Sequence, residues 1–115
     1  INSKKNIRAQ VKTVNKNGSI PLKGGGRSGA DANYGGKGTI NKIYLYSTEN
    51  CDLIIGVNYL SVGHFELYFV PGLVLDKLQQ QSISIRKIQF TKNDLSIVEK
   101  CLDDSYAQIF LEELK

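Results

Sequence analysis

The stretch CDLIIGVNYLSVGHFELYFVP, residues 51–71, holds two runs of strand-forming residues on either side of Ser61-Val62-Gly63. Valine, isoleucine, tyrosine and phenylalanine dominate both runs, and a short connection containing glycine separates them. That is the pattern of an antiparallel hairpin. CDLIIGVNYL, residues 51–60, reads as a buried strand, and GHFELYFVP, residues 63–71, as its partner. Their apolar runs are nearly continuous, as in central strands covered on both faces.

Toward the C-terminus, Pro71-Gly72 ends the hairpin, and GLVLDKLQQQ predicts a short helix with Leu73, Leu75 and Leu78 on its buried side. SISIRKIQF, residues 82–90, alternates like a strand, with Ile83, Ile85 and Lys87 on one side. Thr91 is the expected N-cap of a final helix over residues 91–115, with Asp94 three residues on as an imperfect capping box. Leu95, Val98, Leu102, Ile109 and Phe110 supply its expected apolar stripe, and Asp103-Asp104-Ser105 is the place where it can break in two.

Toward the N-terminus, TINKIYLYSTEN, residues 39–50, has two readings. Ile40, Ile43 and Tyr44 are spaced for one helical face behind Thr39 as N-cap, while the β-branched and aromatic content suits a strand equally. Residues 6–14 and 18–22 read as two strands joined at Asn17-Gly18, a strong hairpin dipeptide. Pro21 limits the second of them to an edge or to its end. The expected fold is α/β or α+β, one mixed central sheet flanked by helices.

Between these parts lies GGGRSGADANYGGKG, residues 24–38, with seven of the eleven glycines. A stretch so long without apolar periodicity is a loop, and its small residues would let backbone come close to a phosphate chain. Gly24, Gly26 and Gly29 spell GxGxxG, but no amphipathic helix follows as the dinucleotide fingerprint needs. GGKGT resembles a P-loop ending, yet Asp31 stands where that motif has glycine and Gly38 where it has Ser or Thr.

The chain's 115 residues fit a single domain. It opens on Ile1 and contains no methionine, so we expect a processed or trimmed piece of something longer. No apolar run approaches the roughly 20 residues that span a bilayer. Cys51 and Cys101 lie far apart in apolar surroundings, without zinc spacing, which suggests two reduced, buried thiols in a cytoplasmic protein. His64, the only histidine, has no nucleophile or second histidine at a telling spacing and reads as a loop residue. Glu112-Glu113 and Asp103-Asp104 read as a solvated helix face.

Charge is more informative. Residues 1–38 hold eight basic side chains and one acid, while residues 39–115 hold seven basic and ten acidic ones. An excess packed into the first third makes a local positive field that a polyanion could use. Within it, the strand NIRAQVKTV puts Ile7, Ala9, Val11 and Thr13 on one face and Arg8, Gln10, Lys12 and Val14 on the other. Gln10 and Lys12, two residues apart on one face, are spaced to act on one phosphate. The lysine could steady charge on phosphorus, and the amide oxygen could face Mg²⁺.

AQVKT on a strand resembles the QxK variant of the motif strand in PD-(D/E)XK nucleases, the restriction-endonuclease-like fold. Gln10 matches the motif's first position and Lys12 its lysine. The connection, helix and CDLIIGV-type strand that follow are similar in pattern, so the likeness covers roughly residues 5–72. It implies a Mg²⁺-dependent DNA endonuclease of restriction or homing type, with Gln10 and Lys12 catalytic and Gln10 a metal ligand. Arg8, Lys16, Lys23, Arg27 and Lys37 would bind DNA, and a homodimer would reach both strands. The family's metal-binding aspartate should precede Gln10, yet residues 1–9 contain no acid and the first core helix has no counterpart. The chain therefore reads as the N-terminally incomplete part of a nuclease-like domain. The alternatives are a non-catalytic nucleic-acid-binding module and an accessory protein-interaction domain.

Overall fold

The computed structural model describes residues 6–24 and 44–115. They form an α+β fold with a mixed sheet and a few short helices. The strands are β1 (Ala9–Thr13), β2 (Ser19–Pro21), β3 (Lys23–Gly24), β4 (Tyr44–Leu45), β5 (Leu53–Ser61), β6 (His64–Pro71) and β7 (Ser82–Ser84). Helix α1 (Gly72–Leu78) follows β6, a 3₁₀ segment covers Ile85–Thr91, and α2 (Ser96–Lys100) and α3 (Asp104–Glu113) close the chain. Among the described residues no helix is long and apolar enough to cross a membrane.

The 51–71 hairpin forms as expected and is the spine of the sheet, which is ordered β1-β5-β6. β1 lies parallel to β5, with Gln10 beside Ile54 and Lys12 beside Gly56. β6 is the outer strand, so its apolar run has a different cause from a strand flanked on both sides. Its free edge is closed by side chains of the following segment. The Leu67 N–H donates to Asn93 Oδ1 (2.9 Å), the Asn93 N–H donates back to the Leu67 carbonyl (2.7 Å), and the Phe69 N–H donates to Thr91 Oγ1 (3.2 Å). Thr91 Oγ1 in turn donates to the Ile88 carbonyl at 2.8 Å. Thr91 is thus a buried edge clasp and not the N-cap of a helix.

The Asn17-Gly18 turn is present. Gly18 adopts φ +77, its N–H donates to the Asn15 carbonyl (2.9 Å), and the Asn15 N–H donates to the Ser19 carbonyl (2.9 Å). The two strands nevertheless part company after it, because β2 pairs antiparallel with β7 and not with β1. Gly56 lets this happen: a Cβ there would collide with the Ile20 side chain, so only a bare backbone lets β2 cross over β5. Pro21 ends β2, where a missing N–H does least harm.

Two further expectations change, the strand over residues 82–90 and the apolar stripe of the terminal helix. Residues 82–90 are not one strand: Ser84 Oγ accepts the Arg86 N–H (3.2 Å) and turns the chain into the 3₁₀ segment, leaving only Ser82–Ser84 extended. The terminal helix is two helices. Asp103, whose Oδ1 accepts the Ser105 N–H at 2.8 Å, caps the second, so the helical phase restarts there. The buried positions are consequently Ile97, Cys101, Ala107 and Phe110, with Leu95, Leu102 and Ile109 exposed. Tyr44-Leu45 is extended, paired with Lys23-Gly24; the helical expectation for residues 39–43 lies outside the described residues.

Two apolar clusters flank the sheet. The larger gathers Val14, Ile20, Leu22, Tyr46, Ile54, Tyr68, Val70, Val74, Leu75, Ile83, Ile88 and Phe110 beneath β2, α1, α3 and the 3₁₀ segment. The smaller holds Leu53, Phe69, Ile97 and Cys101 on the opposite side. Helix α1 starts tight against the sheet: the Gly72 N–H donates to the Asp52 carbonyl (2.8 Å), and a Cβ on Gly72 would lie 2.5 Å from the Cys51 oxygen. Its buried residues are Val74 and Leu75, with Leu73 and Leu78 at the rim.

Candidate nucleic-acid interface

β1 is an edge strand among the described residues, and its two faces are used in an unexpected way. Ala9, Val11 and Thr13 are exposed, whereas Gln10 and Lys12 are half-buried and Val14 is fully buried on the side of the larger cluster. The polar row therefore lies partly against protein, with Gln10 and Lys12 still partly open to water. The Lys12 ammonium lies 5.0 Å from the centroid of the Tyr46 ring, so the side chain runs along apolar surface and ends in a cation–π contact.

Tyr46 connects this row to the ribbon formed by β3 and β4. Its N–H donates to the Leu22 carbonyl (2.9 Å), and its ring meets Tyr44 edge-on at 5.7 Å. Gly24 packs so close to both tyrosines that a Cβ would lie 2.6 Å from the Tyr44 hydroxyl and 3.0 Å from Tyr46 Cε1. This ribbon brackets residues 25–43, and Lys12 reaches its neighbourhood through the Tyr46 ring. Sequence reasoning missed Tyr46. The only signal was its i, i+2 relation to Tyr44, which matters only once the segment is known to be extended.

The other predicted contact residues divide. Lys16 is exposed in the Asn15–Ser19 turn. Lys23 lies on the ribbon, with its Nζ 3.1 Å from Gln81 Oε1. Arg27 and Lys37 lie outside the described residues. Arg8 does not join the row of Gln10 and Lys12. Its N–H and Nε donate to Asp52 Oδ2 (2.9 and 3.3 Å), and its Nη2 donates to Asp52 Oδ1 (3.0 Å) and the Thr48 carbonyl (2.6 Å). Nη1 reaches the Glu49 carbonyl at 3.3 Å. Arg8 is a clamp that ties the start of β1 to the turn before β5. Its side-chain and backbone hydrogen bonds hold the Asp52 carboxyl below the ordinary aspartate range.

Farther along the face that holds Lys12 lies a second polar cluster. Tyr68, beside Gly56 in the next strand, donates from its hydroxyl to Glu66 Oε1 at 2.8 Å. Asn58 Nδ2 donates to the same oxygen (3.3 Å), Lys92 Nζ reaches Oε2 (3.4 Å), and Gln89 Nε2 donates to the Tyr68 oxygen (3.2 Å). The Tyr68 hydroxyl bond, supported by Asn58 and Lys92, lowers the Glu66 pKa against the opposing effect of desolvation. Burial, with the neighbouring Glu66, raises that of Tyr68. The cluster satisfies itself and reads as a structural lock.

Other chemistry finds little purchase. His64 is exposed at the hairpin, its Nδ1 3.1 Å from Ser61 Oγ. Cys51 and Cys101 are free and buried, and burial pushes both thiols up. A groove of about 410 Å³ beside α3, lined by Leu78, Ile83, Lys87, Leu111, Glu112 and Lys115 among others, includes neither Gln10 nor Lys12. Among the described residues no three His, Cys, Asp or Glu side chains gather as a metal site. Gln10 brings a single neutral oxygen, so these residues do not by themselves complete a hard-cation site. No protein-family model matches the chain, and neither a curated protein nor a solved structure does.

Proposed function

We propose that this chain binds the phosphodiester backbone of DNA through a basic surface where β1 meets the β3–β4 ribbon. The observation that carries the reading is the seat of Lys12 on Tyr46, beside the ribbon that brackets the segment holding Arg27 and Lys37. Lys16 and Lys23 extend the same end of the chain, and the eight cations against one acid over residues 1–38 supply the long-range field. Arg8 drops out of the contact set because Asp52 neutralises it. Binding by this surface is electrostatic, so affinity for a labelled duplex should fall steeply as salt rises. Lys12→Ala and Lys23→Ala should each shrink the slope of log affinity against log salt by about one unit. Fluorescence anisotropy checks this. No binding at low salt, or slopes that ignore both variants, overturns the proposal.

The placement of Gln10 and Lys12, half-buried and side by side on one strand face, favours a second reading: nuclease chemistry on a restriction-endonuclease-like core. It needs acids from outside the described residues, and no metal-assisted step follows from those described. Nicking of supercoiled plasmid on addition of Mg²⁺, lost in Lys12→Ala, would establish it. Binding without nicking leaves the binding module.

A further inference from the structure

Tyr44 and Tyr46 touch each other but are placed for different work. Tyr46 is 7 % exposed, belongs to the larger core, and carries the Lys12 ammonium over its ring. Tyr44 pairs with Gly24 across the β3–β4 ribbon and is 46 % exposed. Its side chain lies against the backbone of the facing strand. A Cβ on Gly24 would stand 2.6 Å from the Tyr44 hydroxyl oxygen and 2.7 Å from its Cζ, so only a glycine lets the ring settle there. The Tyr46 ring meets it edge-on at 5.7 Å and 72°, a second restraint. Tyr44 is therefore held from two directions while nearly half of it faces water. Cations stand close by. The Lys12 ammonium is 5.0 Å from the Tyr46 centroid, one ring away from Tyr44, and Lys23 is the neighbour of Gly24 on the facing strand.

We propose that Tyr44 is a stacking platform for an unpaired base, so that the ligand of the basic surface is single-stranded DNA. The inference rests on the backbone-binding reading and adds a base contact to it. Every base has a π-face, so an aromatic ring set beside cations holds a strand without reading its sequence. Here Tyr44 takes the base, while Lys12 and Lys23 meet the phosphates that flank it. A duplex offers this ring little, because its interior bases are already stacked on both faces and reaching one means pulling it out of the stack. A single strand gives both terms at once, charge neutralisation and stacking. The restraint on Tyr44 favours this use, since a ring fixed before binding loses little conformational freedom when a base lies on it. Covering Gly24 is a task that any apolar side chain performs; contact with a base needs the ring.

Fluorescence anisotropy with two labelled strands of equal length tests it, one an oligothymidylate and the other an abasic deoxyribose-phosphate chain. Both carry the same phosphates, and only the first has bases. The wild-type chain should bind the oligothymidylate about tenfold more tightly than the abasic chain. Tyr44→Phe should keep that preference. Tyr44→Leu, which leaves an apolar cover over Gly24 but no ring, should abolish it while melting cooperatively near the wild-type temperature. Equal affinity of the wild-type chain for the two strands overturns the inference and leaves the backbone reading standing. Binding of neither strand at low salt removes both. A preference that survives in a folded Tyr44→Leu variant also overturns the inference, because the base contact then lies elsewhere.

Discussion

The two sides of the sheet are built on opposite plans. On one side β2, α1, α3 and the 3₁₀ segment close over Ile54, Tyr68 and Val70, and even the polar groups there, Glu66, Tyr68 and Gln89, bond one another. On the other, five residues of α2 cover Leu53 and Phe69, and apolar side chains at the far end face water. The contrast teaches that strand residues of the same type serve two purposes. The closed side holds the larger buried cluster, and the open side leaves apolar strand residues at the surface.

Substitutions can break or sharpen that contrast. The largest effect belongs to the closed side. Phe110 is fully buried and its ring meets Phe90 at 4.9 Å and Tyr106 at 6.1 Å, so Phe110→Ala should cost about 3–5 kcal/mol in urea unfolding. A loss below 1 kcal/mol would mean that the closed side is not the core described.

Asp52 sits at the seam between the two sides. Its carboxyl is held below the ordinary value of 3.8 by Arg8, so the stability it adds is complete above that value and drains away as pH falls through the lower folded value. Asp52→Asn should lower the melting temperature at neutral pH by about 5 °C, and the gap to wild type should close in acid. A gap independent of pH would remove the ion pair from the explanation.

The smallest effect belongs to the open side. Val11→Thr should change unfolding free energy by no more than about 0.5 kcal/mol. A larger loss would place Val11 in the fold's own core.

What was legible in the sequence follows from the distance over which each interaction acts. The 51–71 hairpin and the helix after Pro71-Gly72 were readable because their partners are neighbours in the chain. The fate of β1 and β2 was not, because Ile20 chooses its place by meeting Gly56, a glycine with no turn signal around it. The candidate site divides the same way. Alternation put Gln10 and Lys12 on one face, as they are. It could not show that the same side holds the larger core, nor that Asp52, 44 residues away, takes Arg8. The break at Asp103 was visible as a polar triplet, but the phase change that buries Ile97 and Ala107 and exposes Leu95 and Ile109 is a geometric consequence of where the second helix restarts.

The clasp of Thr91 and Asn93 on β6 has a consequence for solubility. With the Leu67 and Phe69 amides already occupied, no foreign strand can add along that border. Among the described residues the three-stranded sheet therefore keeps one border unpaired, that of β1. A foreign strand that joins this sheet must do so alongside β1.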